Sequence, residues 1–342
     1  MEVCEISIGI DIGKTSFHAA LYRSSSSERG AGGKAESLGQ FANSDLGMTE
    51  FIAVLAARGI MPSQAHCCME ATGHYFELIA DTLVEKGYRV RVVNPTAIKH
   101  FARAEQIRTK NDSVDARTIA LYAAPMQPTI WQKPTKTQRD LQELTRYRSE
   151  LVAERAKHKN RIEAARREGK LRVHLQQMLD LLDDSIEAVE ADIQALVDND
   201  DRFSNDAKLL ESIGGIGTTT AHALLGELPL LHSYTSARQL AAHAGVTPRE
   251  RQSGSSVQGV PRISKVGNTS IMKILWNAAI ASLRSTKSNP AMVAFGERLT
   301  GKNKKRKQII CAAIRKLLHQ IFGVIHSGKM FDPAFHTKFA ES

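Results

Sequence analysis

The sequence predicts an N-terminal α/β domain, a helical coiled-coil insertion and a mostly α-helical C-terminal domain. Three patterns predict it. Over the first 130 residues, short apolar runs with strand-like alternation take turns with amphipathic helical stretches. Between residues 175 and 196, apolar side chains recur at spacings that alternate between four and three. Beyond residue 201 helical periodicity resumes around a glycine-rich turn. The expected domains are therefore 1–130, 131–200 and 201–342.

In the first of these, Ile6, Ile8 and Ile10 alternate into Asp11, and a second strand follows at 17–22. The polar, Gly- and Ser-rich stretch 23–34 turns the chain into a third strand at 35–41. A helix at 46–58, a strand at 65–69, a helix at 75–86 and a strand at 89–93 come next, the last stopped by Asn94-Pro95. Helices at 96–103 and 113–122 complete the domain. Three meandering strands followed by αβαβα is the order of a ribonuclease-H-like sheet with mixed strand directions.

In the middle segment Leu175, Leu179, Leu182, Ile186, Val189, Ile193 and Leu196 form the seam of a coiled coil. Leu141, Leu144 and Leu151 begin a weaker stripe upstream, which reads equally as one amphipathic helix on a core. Gly169 breaks the two helices into an antiparallel hairpin. Further on, 209–228 reads as helix, Gly-rich hairpin, helix, and 247–267 as a loop rich in Ser, Gly, Arg and Lys. A helix at 268–284, a loop ending in 302–307 (KNKKRK) and a helix at 309–325 follow, with no internal repeat.

The 342 residues are 42% hydrophobic and 24% charged, which suits a globular chain of two or three domains. The net charge of +10 favours a polyanionic partner, nucleic acid first, although charge alone also fits a merely basic protein. The excess is concentrated: between residues 251 and 329 fifteen Lys and Arg face a single acid, Glu297. Cys4, Cys67, Cys68 and Cys311 have no CxxC spacing and read as reduced core residues of a cytoplasmic protein. No segment reads as a signal peptide, no apolar run is expected to span a membrane, and no HxH or HxxxH pair offers a histidine metal site. Trp131 and Trp276 read as packing residues, and aromatics at 6% give base stacking little material.

Four acids carry the candidate chemistry. Asp11 ends the first strand in Gly9-Ile10-Asp11-Ile12-Gly13-Lys14, and Glu70 ends a later one in Cys68-Met69-Glu70-Ala71-Thr72-Gly73. If those strands are parallel neighbours, the two carboxylates meet. Asp112 and Asp115 share one face of a helix start, where acids also suit the helix dipole for purely structural reasons. Singly, each acid reads as a cap or a surface charge. Together they repel unless cations intervene, and hard oxygen ligands of this kind select Mg²⁺ for phosphoryl transfer. His74 and Lys14 lie beside the acidic motifs and fit either substrate contact or plain surface. Glycines in Gly214-Gly215-Ile216-Gly217 fit a helix–hairpin–helix turn whose Gly215 and Gly217 backbone cradles phosphate, or an ordinary interhelical turn.

With GIDIGK, MEATG and KNDSVDA in this order, the chain resembles the DEDD insertion-sequence transposases related to the Piv pilin-gene invertase, over essentially its whole length. The resemblance implies a RuvC-like N-terminal domain of the Holliday-junction-resolvase kind. The segment Ala244-Gly245-Val246-Thr247-Pro248, then Gln252-Ser253-Gly254-Ser255-Ser256, is similar to the family's second catalytic block, and the resemblance makes Ser253 the nucleophile; by the residues alone a Ser in this Ser-rich loop reads as solvated, and Ser255 and Ser256 compete with it. Arg251, Arg262 and Lys265 would then hold the phosphate's charge, and Lys304, Lys305, Arg306 and Lys307 the nucleic-acid backbone. Where the family usually has Pro, this chain has Gly214. The resemblance further implies strand exchange between donor and target DNA through a Ser-linked intermediate beside Mg²⁺ at Asp11, Glu70, Asp112 and Asp115. It implies a structured guide RNA bridging the DNAs, and homodimers pairing into tetramers. Two other readings use the same residues: a metal-only structure-selective nuclease with water as nucleophile, and a non-catalytic nucleic-acid-binding module.

Overall fold

The computed structural model describes residues 6–23, 35–71, 73–165, 169–228, 231–253, 257–264 and 266–334, with backbone alone over 250–253 and 257–261. The chain forms two compact units, Met1–Lys133 and Pro134–Ser342.

The first unit contains β1 (Ile6–Ile12), β2 (Ser16–Arg23), β3 (Glu36–Ala42), α1 (Asp45–Ala57), β4 (Ala65–Glu70), α2 (Glu77–Glu85), β5 (Arg89–Val93), α3 (Pro95–Ala104) and α4 (Asp112–Met126). Its sheet has the order β3-β2-β1-β4-β5. The first three strands are an antiparallel meander, and β4 and β5 run parallel to β1. This is a ribonuclease-H-like sheet, as its element order predicts.

Side chains alternate across the strands, so β1 divides its residues between two faces. Ile6, Ile8, Ile10 and Ile12 join a core with Phe17, Phe51, Leu55, Ile79 and Leu83. Phe17, Phe41 and Phe51 lock β2, β3 and α1 together, with ring centroids 5.1–5.5 Å apart. Ser7, Gly9 and Asp11 belong to the opposite face, which α4 covers. A Cβ on Gly9 would lie 2.1 Å from the Ala116 carbonyl oxygen and 2.3 Å from the Ala120 nitrogen, so helix backbone rests on the strand. Ala116, Ala120 and Ala123, spaced four and three apart and fully buried, are what let α4 come this close. Beside them Cys68, Val93, Ile98 and Ile119 form a second small core, and Ser7 Oγ meets His66 Nε2 at 2.9 Å in the buried layer.

The second unit contains α5 (Lys136–Ala164), α6 (Lys170–Asp198), α7 (Asp201–Glu211), α8 (Thr218–Glu227), a 3₁₀ turn (Leu231–Ser233), α9 (Ala237–His243), β6 (Pro248–Ser253), β7 (Val257–Ile263), α10 (Thr269–Ser282), α11 (Pro290–Gly301) and α12 (Arg306–Ser327). Helices α5 and α6 form an antiparallel hairpin, tied by Arg148–Glu190 at 2.6 Å and by Arg155–Asp183. Leu179, Ile186, Val189 and Ile193 of the expected seam are buried, and Leu182 packs partly. The last position falls to Val197 rather than Leu196. A straight helix with about 3.6 residues per turn drifts from a heptad stripe, and about five turns on from Leu179 the buried face has come round to Val197. Leu141 and Leu151 of α5 belong to one core with Leu210, Leu224, Leu275, Ile314 and Leu317.

One expectation changes. Within 247–267, expected to be a loop, Pro248–Ser253 and Val257–Ile263 form an antiparallel ribbon, β6 and β7, with Ser253 opposite Val257 and a register shift between Arg249 and Arg251. A composition rich in Ser, Gly, Arg and Lys hid a ladder that backbone pairing identifies. Helix α12 is long and apolar enough by composition to cross a membrane. Its apolar side is instead buried in the unit's core through Ile310, Ile314, Leu317, Leu318, Ile321 and Ile325.

The contact between α4 and β1 gives a direct test. Gly9→Ala has no space without lifting α4, so it should lower the unfolding free energy by about 2 kcal/mol or more, the upper range of overpacking. Chemical denaturation would measure it, and a loss below about 0.5 kcal/mol would mean that the helix is free to shift.

Candidate active site

The four acids come together at one end of the first unit. Asp11 is the penultimate residue of β1 and faces α4; Glu70 is the last residue of β4, beside it in the sheet. Asn111 caps α4, its side-chain oxygen accepting from the Val114 N–H at 2.9 Å, which leaves Asp112 and Asp115 in the first turn. Asp112 is thus not the cap.

Their electrostatics record the convergence. Burial, then Asp115 and Asp112, push the Asp11 carboxyl up to about 6, against a smaller pull from His18. Burial, then Asp11 and Asp115, push Glu70 up to about 7, with Lys110 drawing it back. Asp115 is also raised, by burial and Asp112, and lowered by Lys110. Asp11, Glu70 and Asp115 therefore each feel at least one other acid of the set through a partly desolvated space. Among the described residues no three His, Cys, Asp or Glu side chains stand close enough to enclose an ion as placed. The donor set is nonetheless all hard oxygen, and repulsion of this sign is what a divalent cation relieves.

Two neighbours escaped the sequence reading. His18 lies directly across from Asp11 in the β1–β2 pairing, and its Nδ1 is 3.8 Å from Asp112. The tight turn that closes the hairpin, with the Gly13 N–H donating to the Ser16 carbonyl at 2.8 Å, fixes that register and was the available signal. Lys110 sits just before the cap, as the cation of the cluster. Lys14 is exposed at the hairpin turn, and His74 is exposed with its ring against Tyr75.

The other candidates belong to the second unit. Ser253 closes β6, and Arg251 pairs with Gly259 in the same ribbon. Arg262 is exposed on β7, whereas Lys265, Ser255 and Ser256 lie outside the described residues. The ribbon's base is held firmly. Ser264 N–H donates to the Thr247 carbonyl at 2.9 Å, and Asn268 N–H to the His243 carbonyl at 2.7 Å. Asn268 Nδ2 then donates to Glu227 Oε2 at 2.8 Å, while Arg146 donates to both oxygens of that buried carboxylate at 2.6 and 3.1 Å. In the glycine turn, Gly214 and Gly215 pack against Ser288 and Ser282, where a Cβ would collide. Gly217 caps α8 and faces open space. Lys304, Lys305, Arg306 and Lys307 are exposed, and α12 begins at Arg306, so the basic run enters the helix rather than stopping before it.

The raised acids make stability depend on pH. A carboxyl whose folded pKa lies above its unfolded value holds protons in the native state, so its contribution is largest at low pH. For Asp11 and Glu70 that contribution should fade from about pH 4 up to about pH 7 and stay flat above. In chelator, thermal unfolding of Asp11→Asn should show a smaller loss across that window than the parent chain; parallel curves would contradict the coupling.

Comparison with known proteins agrees with this layout. Residues 8–168 match the DEDD transposases of the IS110 type, and residues 207–295 match the transposase family IS116/IS110/IS902. The pilin gene-inverting protein of Moraxella bovis is 31% identical over 333 residues, covering 96% of this chain and 98% of its own. Its counterpart from Moraxella lacunata matches to the same extent, 31% over 333 residues. The transposase of insertion element IS1111A from Coxiella burnetii is 26% identical over 254 residues, 64% of this chain and 66% of its own. An α/β unit with acids at its strand ends, a mostly helical unit following it in the chain, and near-full-length similarity to the pilin inverters lead to one conclusion: this chain belongs to the IS110-type DEDD transposase family and is related to the Piv invertases.

Proposed function

We propose that this transposase exchanges DNA strands through a covalent protein–DNA ester, with Ser253 as nucleophile and Asp11, Glu70, Asp112 and Asp115 as a Mg²⁺ site. The observation that carries the reading is the mutual charge pressure on Asp11, Glu70 and Asp115, which a divalent cation would relieve at neutral pH. Bound Mg²⁺ would stabilise charge on the oxygens of the reacting phosphodiester. Ser253 Oγ would attack phosphorus; the P–O bond to one sugar breaks, and that oxygen leaves as a hydroxyl with the serine's proton. A hydroxyl end of the partner strand then attacks the phosphoserine, re-forms a phosphodiester and returns the serine. Arg251, Arg262 and Lys265, close to Ser253 in sequence, would bear the phosphate's charge.

Donor and target DNA are the substrates in this reading, bridged by a structured guide RNA that the protein holds by shape and backbone. The backbone of Gly215 and Gly217 and the side chains of Lys304, Lys305, Arg306 and Lys307 would meet phosphates. Family kinship supports dimers that pair into tetramers, and the exposed apolar residues Leu171, Met178 and Leu181 on the helical hairpin give such assembly a surface. Work on chromosomal DNA would place the protein in the cytoplasm.

The serine step is tested by labelled DNA on denaturing gels with and without protease. Ser253→Ala should bind DNA and Mg²⁺ yet form no adduct and no recombinant, whereas Ser255→Ala and Ser256→Ala should do both. Ala at Asp11, Glu70, Asp112 or Asp115 should each cost about a hundredfold or more in recombination, Asp112 included because Asn111 holds the cap. Cutting and rejoining by Ser253→Ala at the parent rate would favour a metal-only nuclease, and activity undiminished in EDTA would remove the metal site. Separately, neutralising Lys304, Lys305, Arg306 and Lys307 together should lower the slope of log affinity against log salt by about three. An unchanged slope would make the run a solubilising segment.

A further inference from the structure

The second unit contains a groove of about 1700 Å³ that the proposed chemistry does not use. Its floor is one face of α12. Gln308, Ala312, Arg315, His319 and Gly323 recur at spacings of three and four along it, while the opposite face is buried in the core. At 1.5 Å per residue the 22 residues of α12 make the floor about 33 Å long. The far wall is Val246, then Pro248 and Ile263 of the serine-bearing ribbon, and Phe295 and Leu299 of α11 and then Met330 and Phe331 complete it.

Size and charge restrict the occupant. Small-molecule sites run to about 1,000 Å³, so this groove is too large and too long for a metabolite and fits a polymer chain. Among the described residues its lining includes seven Lys or Arg, among them Arg262, Lys307, Arg315 and Lys316, against a single acid, Asp332. The basic run Lys304–Lys307 stands at the α12 N-terminus, where the helix dipole is already positive and cations are disfavoured unless an anion answers them. In the lining, Lys316 lies 4.9 Å from the Phe295 ring centroid, and Arg298 stands 5.4 Å from the same ring; desolvation, then Arg298, lowers the Lys316 ammonium's pKa. A polyanion in the groove relieves the repulsion that Lys316 feels from Arg298.

The apolar part decides which polyanion. A duplex hides its base faces in its own stack and presents phosphates, so a flat basic surface suffices for it. Unpaired nucleotides expose base faces that water covers poorly, and they bind where aromatic or apolar side chains lie beneath a cationic rim. We infer that this groove holds a single-stranded nucleic-acid segment, with bases against Phe295, Phe331 and the α12 floor and phosphates along the Lys and Arg rim. The inference rests on nucleic acid being the substrate, and it adds that the second unit grips an unpaired stretch beside the serine ribbon.

Gly323 supplies the test. It lies in the floor, and a Cβ built there meets nothing within 4 Å. Replacing a mid-helix glycine by Glu raises helix propensity, so Gly323→Glu should fold at least as well as the parent while placing a carboxylate among the phosphates. Fluorescence anisotropy in EDTA would compare the full chain's affinity for a labelled single strand of about fifteen nucleotides, as RNA and as DNA, with that for the matching blunt duplex. Gly323→Glu should weaken single-strand binding about tenfold and leave the duplex within about twofold, while Gly323→Lys should not weaken either. Equal losses for single strand and duplex would make the groove part of a general basic surface. Unchanged single-strand affinity would overturn the inference, and if the chain's mass in light scattering fell at the same time, the groove would be a contact between copies. Binding is read here without cleavage, so a failed groove and a failed serine mechanism remain separate results.

Discussion

Because residue 9 has no side chain, the backbone of α4 at Ala116 and Ala120 rests directly on β1, and everything at the acidic end of the first unit follows from that approach. One helical turn before Ala116, the same helix sets Asp112 and Asp115 over the end of the strand from which Asp11 emerges. Parallel pairing of β1 with β4 then places Glu70 alongside. Attraction does not bring these acids together, since Asp11, Asp112 and Asp115 raise the proton affinity of the carboxyls beside them. Packing does it instead: three alanines on α4, a glycine on β1 and the Ser7–His66 contact below them hold the frame against the repulsion it creates.

The second unit solves a different positional problem. Among the described residues its β6–β7 ribbon pairs with no other strand, so its own ladder gives little orientation relative to the helices. The direction comes from its base. Glu227, 3% exposed at the end of α8, accepts from Arg146 of α5 and from Asn268 at the start of α10. A buried carboxylate is costly unless such donors satisfy it, and these come from elements far apart in sequence. One residue before Asn268, Gly267 runs at φ 144° with its missing Cβ aimed at the His243 carbonyl oxygen, 2.2 Å away, so any other residue would open the anchor. Thus a charged hub and a tight backbone crossing, rather than apolar packing, fix the strand that ends in Ser253.

How far the sequence could be read depended on where the information lay. Strands β1 to β5 were legible because each is an apolar run closed by turn residues, and the helical hairpin because its seam repeats. Asp11, Glu70, Asp112 and Asp115 could be grouped because a strand end and a helix start are local features, and parallel neighbours bring them together. His18 was not legible alone: it matters only through its register with Asp11 across the hairpin. Glu227 was still less so, since a single Glu at a helix end looks like a surface charge until Arg146 and Asn268 arrive from other segments. The β6–β7 ribbon failed for a third reason. Most of β6 is polar, and β7 spaces Val257, Val260 and Ile263 three apart, so no alternation betrays either strand, and only the ladder itself identifies them.

The two units also divide the electrostatic work of handling a phosphodiester. A carboxylate cluster repels the polyanion it is proposed to act upon, and its repulsion is strongest where desolvation is greatest. Attraction must therefore come from elsewhere in the chain, and the fifteen Lys and Arg between residues 251 and 329 are the reservoir. Those cations alone would bind any nucleic acid wherever phosphates reach them, and would bind it equally in productive and unproductive poses. An apolar floor beneath part of the basic rim adds a condition that phosphates cannot satisfy, because it rewards only strands whose bases are free. A protein that must exchange strands benefits from that condition, since the substrate state worth holding is the one in which pairing has already been broken. On this argument charge gathers the nucleic acid, the groove under α11 and the ribbon selects its unpaired part, and the acids act only where a cation has first cancelled their repulsion.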